Sequence, residues 1–167
     1  MDDFFKIAYA KEWATRVSKI PSSIELLRDI CHELMDCRDG VGAIDYEREP
    51  ISVQRTNGDD VMFSNAFRYE EKIRIYEQRI EDMKQERTSF IECCGELESP
   101  YGELLLERFV LGNEWSEVSK NLGYDFGYCR GRLKDKALIE LWETMPLEFK
   151  KYATPCNTTP CDNVNAK

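Results

Sequence analysis

An all-α fold is the expectation for this chain, and three observations carry it. Apolar residues recur at steps of three, four and seven through residues 4–20, 22–37, 69–94 and 104–141, the spacing of helices with one buried face. Breakers stand where those stretches stop, at Pro21, Pro100, Gly112 and Gly123. Hydrophobic content of 42% with 33% charged residues fits a helix-rich globular chain. The expected architecture is an N-terminal helical hairpin or long-helix bundle over residues 1–98, a three-helix domain over 99–149, and a tail over 150–167.

The first element follows from Phe4, Ile7, Ala10, Trp13, Ala14 and Val17, a helical stripe that Pro21 is expected to end. Ser22 with Glu25 three residues on writes a capping box, and Ile24, Leu27, Ile30, Cys31 and Leu34 carry a second helix to about Cys37. Residues 38–63 mix Gly, Pro, Asp and Asn without a sustained period and read as a loop, either linker or functional, with room for a short strand near Ile51 to Val53. Arg48 and Arg55 in it could touch nucleic acid, although solvated loop charges are the commoner case.

A long helix is expected over about 64–95, capped by Ser64 or Asn65. Tyr69, Ile73, Tyr76, Ile80, Met83, Arg87, Phe90 and Cys94 follow in steps of four and three, a coiled-coil seam with Arg87 as its charged member. Such a seam must be covered. The favoured cover is the N-terminal helices of the same chain, and the other is the same helix of a second copy in a homodimer. Glu98-Ser99-Pro100 then marks a boundary, since proline disfavours a helical Ser99 and can open the next helix.

Residues 101–142 carry the grammar of a helix-turn-helix. Leu104, Leu105, Phe109, Val110, Trp115, Val118, Leu122, Phe126, Leu133, Ala137, Leu138 and Leu141 offer one face per helix to a shared small core. Gly123 sits where the middle helix should end in a left-handed residue, and Asp125 follows as N-cap of a helix beginning near Phe126. In this motif the middle helix crosses the phosphate backbone and the next lays its first turns in the major groove. The groove-facing residues would be Gly127, Tyr128, Arg130, Gly131, Arg132 and Lys134. Arg130 and Arg132 can present a planar fork to guanine, Tyr128 can reach phosphate or stack, and Lys120 can meet phosphate. The bland alternative is a packed three-helix subdomain with ordinary surface charges.

The run from Arg108 through Gly112, Trp115, Glu117, Val118, Leu122 and Gly123 to Tyr124 resembles region four of bacterial sigma factors. It is similar, further, to phage-encoded regulators of the RinA and ArpU type, which add N-terminal helices and favour Trp at the position of Trp115; a weaker similarity covers most of residues 5–145 and includes Lys136-Ala137-Leu138. Three departures stand out: Ser119 where Ala is usual, Gly127 and Gly131 in the recognition helix, and one extra residue before Ala137. The resemblance implies a sigma-region-four-like domain and a transcriptional regulator of phage or mobile-element genes. Its partners would be double-stranded DNA and, in addition, RNA polymerase or another protein, in the cytoplasm of a bacterial host.

Charge bears on that reading in both directions. The chain's net charge is −9, whereas a groove binder should carry a positive footprint. Residues 1–99 hold 14 Lys and Arg against 22 Asp and Glu, and residues 100–152 hold 8 against 9, so the acid lies mostly outside the motif. Residues 128–136 set Arg130, Arg132, Lys134 and Lys136 against Asp135 alone. The acidic N-terminal part supports a rival reading: an acidic helical inhibitor that binds a nuclease, polymerase or CRISPR effector by mimicking nucleic acid. A solvated acidic surface is the commonest reason for such a count.

Seven cysteines, Cys31, Cys37, Cys93, Cys94, Cys129, Cys156 and Cys161, are scattered and accompany a single histidine, His32. They suit reduced thiols rather than a disulfide framework or a zinc site, so no metal or cofactor is expected. The start MDDFFKIAYAKEW lacks a signal-peptide layout, and no run of about 18 apolar residues could span a bilayer. No phosphate loop, nucleophile elbow or His-Glu metal helix is present, so an enzyme is not expected. The tail from Lys150, with two prolines and almost no apolar content, is expected to be disordered.

Overall fold

The computed structural model describes residues 2–41 and 58–150, with the side chains of 2–38 and 67–150. The fold is all-α, as expected, and no strand occurs among the described residues. Helix α1 spans Asp3–Val41 and α2 spans Gly58–Glu96. Helix α3, Tyr101–Leu105, widens into a π-helical turn at Leu106–Val110, and α4 is Trp115–Leu122. Helix α5, Phe126–Tyr128, runs without a break through a second π-helical turn, Cys129–Leu133, into α6, Lys134–Thr144; α7 is Leu147–Lys150.

Pro21 does not end a helix: it lies inside α1, which is one rod rather than two. Proline in a helix interior costs about 3 kcal/mol in lost hydrogen bonding and ring clash. Against that, Val17, Ile20, Leu27 and Cys31 are buried along one stripe on both sides of it, each large apolar group contributing roughly 1.5–3 kcal/mol. The stripe wins. The Ser22 hydroxyl accordingly donates to the Lys19 carbonyl at 3.0 Å and caps nothing.

The expected loop 38–63 is also shorter than its composition suggests, because residues 38–41 and 58–63 are helical. Helix α2 passes through Ser64 and Asn65, which therefore do not begin it. The proposed strand near Ile51 to Val53 and the arginines Arg48 and Arg55 lie outside the described residues, as do residues 151–167 of the tail. Lys150, expected to open the tail, closes α7.

The chain divides into two compact units, Thr15–Glu92 and the combination of Met1–Ala14 with Cys93–Lys167. The border expected at 98 and 99 is thus displaced. The first turns of α1 and the last turn of α2 belong to one unit with α3 to α7.

In the Thr15–Glu92 unit, Arg16 reaches Glu86 through Nε and Nη2, both at 2.7 Å, and Cys31 stands near enough to Glu77 to feel its charge. Those pairings run α1 and α2 antiparallel. Ile73 and Ile80 of the heptad seam are buried, while Tyr69, Tyr76, Met83 and Arg87 are half-buried. A single chain therefore covers part of the seam. The outer face of α2 carries local pairs, Glu71 with Arg74 at 2.7 Å and Glu81 with Lys84 at 3.0 Å, of the solvent-screened kind that stabilises a helix little.

The second unit is built around Leu104, Leu105, Val118, Leu133, Ala137, Leu138 and Leu141, all buried. The start of α1 completes it. Ala10, Trp13 and Ala14 are buried; Trp13 stacks on Phe149 at 5.0 Å and Tyr9 leans on Trp142 at 5.9 Å. Lys6 pairs with Glu143, which raises the lysine pKa and lowers the carboxylate's, chiefly through their hydrogen bond. Gly102 is buried and leaves no room for a methyl, which would run into the Cys94 carbonyl oxygen.

Cys31, Cys93, Cys94 and Cys129 are buried free thiols and Cys37 is exposed. Burial, aided by the charge of Cys93, pushes the Cys94 thiol from 9.0 up to about 12. In the unfolded chain that thiol ionises near its ordinary value. Its contribution to stability is therefore complete below about pH 9 and is lost as pH rises toward 12. Urea midpoints under reducing conditions should fall between about pH 9 and 11, and Cys94→Ala should flatten that slope whatever it does to the level. An unchanged slope in the variant would show that other groups carry the alkaline loss.

Candidate nucleic-acid interface

The corner between α4 and α5 is assembled from α3 upward. Gly112 adopts a left-handed φ of 79° after the π-helical turn and redirects the chain toward α4. Arg108 holds that corner: its Nη1 donates to the Asn113 carbonyl at 2.8 Å, and its guanidinium lies 5.5 Å from the centre of the Trp115 ring, a favourable cation–π placement. Asn121 of α4 donates to Glu107 at 2.9 Å. Arg108 and Trp115, which carried part of the family resemblance, thus have a mutual structural role in this chain.

Helix α4 begins with the Glu114 N–H donating to the Glu117 carboxylate at 3.1 Å and turns Val118 wholly inward. Ser119, where Ala was usual in the resemblance, is buried, and its hydroxyl is satisfied by the Ser116 carbonyl at 3.0 Å. The helix ends as its sequence predicts. Gly123 takes a left-handed φ of 72°; its N–H donates to the Lys120 carbonyl at 3.3 Å and the Tyr124 N–H to the Ser119 carbonyl at 3.0 Å, the two bonds of a Schellman motif. Asp125 then caps the next helix by accepting from the Tyr128 N–H at 3.1 Å. Stop and restart are both satisfied by local hydrogen bonds.

Helix α5 and its continuation bury Cys129, Leu133, Ala137, Leu138, Leu141 and Trp142 against the unit. Burial, with a smaller push from the Asp125 charge, raises the Cys129 thiol pKa, as suits a thiol enclosed in the core. The opposite side presents Tyr128, Arg130 and Arg132 to solvent, and Lys120 is exposed at the end of α4. Neither Arg130 nor Arg132 forms an ion pair among the described residues. Lys134 is placed differently from its expected neighbours. It is half-buried and its ammonium lies 3.2 Å from the Asp135 carboxylate, which offsets its charge.

Both arginines stand in the π-helical turn Cys129–Leu133, which holds more residues per turn than an α-helix. A π turn is how a helix absorbs one residue without giving up its buried stripe, and here that stripe resumes at Leu133 and Ala137. The helix departs from expectation in one more respect. Phe126, assigned to the core by its spacing, is 45% exposed, with Tyr124 at 43% and Tyr128 at 39% beside it in sequence. Phe109, Val110, Trp115 and Leu122 are half-buried rather than enclosed. Tyr124 enters the sequence reading only as the last residue of the run 108–124.

Among the described residues no group of three His, Cys, Asp or Glu side chains could hold a metal ion, and no helix is long and apolar enough to cross a membrane. Comparison of the chain with protein-family models, with characterised proteins and with solved structures returned no match.

Proposed function

We propose that the chain is a DNA-binding transcriptional regulator of phage or mobile-element genes, acting in a bacterial cytoplasm through residues 115–144. The observation that carries this reading is the exposed Tyr128, Arg130 and Arg132 on the helix that follows a Schellman-terminated, Asp125-capped corner. That helix is the one a helix-turn-helix lays in the major groove. Lys120, exposed at the end of α4, supports the reading as a phosphate contact. The likeness of residues 108–124 to sigma region four and to RinA and ArpU regulators supports it independently and suggests RNA polymerase as a further partner. With an acidic remainder, affinity for DNA should be modest and gain from a second contact, either a protein partner or a homodimer through α2.

The expected outcome for the double change Arg130→Ala, Arg132→Ala is a loss of at least tenfold in affinity for a target duplex at moderate salt, two desolvated guanine contacts being worth about 1–3 kcal/mol each. Both side chains are exposed, so the unfolding midpoint should hardly move. Binding left intact with the fold intact would end the DNA reading.

One observation favours a rival: the outer face of α2 exposes Glu70, Glu77, Glu81, Asp82, Glu92 and Glu96. An acidic helical inhibitor of a nuclease, polymerase or CRISPR effector would use that face. Its partner would be retained by the double-arginine variant and released when the α2 acids are reversed.

A further inference from the structure

Phe126 is the first residue of α5, immediately after the Asp125 cap, and nearly half of it faces solvent. Single exposed apolar side chains are ordinary on protein surfaces, but the surroundings of this one are particular. Tyr124 and Tyr128 pair with each other at 5.9 Å, and Phe126 makes no ring contact among the described residues. The adjacent Gly127 has only the Asp125 carboxylate near its missing Cβ, at 3.2 Å, and Gly131 has open space there. Neither glycine adds a side chain that could cover the exposed part of the ring. Arg130, four residues on in the π-helical turn, is exposed as well.

Residues at the N-terminus of this helix are the ones that meet base edges in a helix-turn-helix complex. The major groove displays hydrogen-bonding groups at every base pair and a single apolar group, the 5-methyl of thymine. An apolar ring at that position, with an exposed arginine four residues on, matches a thymine close to a guanine. We infer that Phe126 is a specificity-determining residue that packs on a thymine 5-methyl in the major groove, with Arg130 on a guanine within about two base pairs of it. The inference rests on the DNA-binding reading and adds to it which base feature is read.

The test begins with selection of bound duplexes from a random-sequence library by the full chain. Each thymine of the selected site is then replaced by deoxyuridine, which removes only the methyl, and binding is measured for the wild type and for Phe126→Ala. One position should weaken the wild type by about fourfold, the value of one methyl-sized burial, while leaving Phe126→Ala unaffected. Phe126→Leu, which keeps an apolar group, should retain part of the sensitivity. Deoxyuridine effects equal in the wild type and Phe126→Ala, or absent from both, overturn the inference and leave DNA binding standing. A selection that enriches no duplex overturns the DNA reading and this inference with it.

Discussion

Replacing Trp13 with alanine is expected to lower the free energy of unfolding by about 3–5 kcal/mol, the cost of emptying an enclosed aromatic site. Trp13 is 1% exposed and Ala10 and Ala14 beside it are fully buried. Its indole stacks on Phe149 at 5.0 Å with the planes 21° apart, and a neighbouring pair, Tyr9 with Trp142 at 5.9 Å, stands one turn away along α1. None of these α1 groups is a neighbour in sequence of the helix-turn-helix, yet all belong to its unit. Removing the indole leaves a cavity that short helices cannot close without losing other contacts. Urea unfolding followed by circular dichroism measures the loss, and Trp13→Phe, which keeps an aromatic partner for Phe149, should recover most of it. A loss below about 1 kcal/mol, the scale of an ordinary surface change, would mean that the first turns of α1 are peripheral to that unit. For the same reason residues 99–150 expressed alone should unfold without cooperativity.

Gly102→Ala is expected to destabilise by an amount at or above the upper end of the usual 1–3 kcal/mol for overpacking. The sign matters more than the size. In a helix, alanine is favoured over glycine by about 1 kcal/mol, so intrinsic propensity predicts a gain. Here the new methyl would collide with the Cys94 carbonyl oxygen, a backbone atom that can move only by shifting the end of α2 against α3. Gly95, helical like Gly102 but with nothing within 4 Å of a Cβ, provides the contrast. Gly95→Ala should stabilise by about 0.5–1 kcal/mol. Equal effects of the two substitutions on the urea midpoint would refute close packing at Gly102.

Where one local force decides the outcome, the sequence could be read directly. Gly123 and Asp125 behave as predicted because a left-handed helix end and an N-cap each depend on residues within a few positions. The heptad of α2 points inward for a similar reason: periodic apolar spacing states which face must be covered. Pro21 and the Ser22 capping box were misread because both are local signals, and the stripe from Val17 to Cys31 outweighed them. Phe126 was misplaced because burial of apolar residues is a tendency and not a requirement. A π turn beside it shifts the phase of the face, which steps of three and four do not reveal.

The all-α class, the sharp corner at Gly123 and Asp125, and the local basicity of residues 128–136 are legible in the chain alone. Each of these is fixed by backbone preference, periodicity or formal charge. Packing settles the rest: the first fourteen residues join the unit of Cys93–Lys167, Gly102 must lack a side chain, and Arg130 and Arg132 are exposed while Lys134 is partly enclosed beside Asp135. Those outcomes depend on which surfaces meet across long stretches of chain, and free energies of a few kcal/mol distributed over many contacts choose among arrangements that the local signals permit equally.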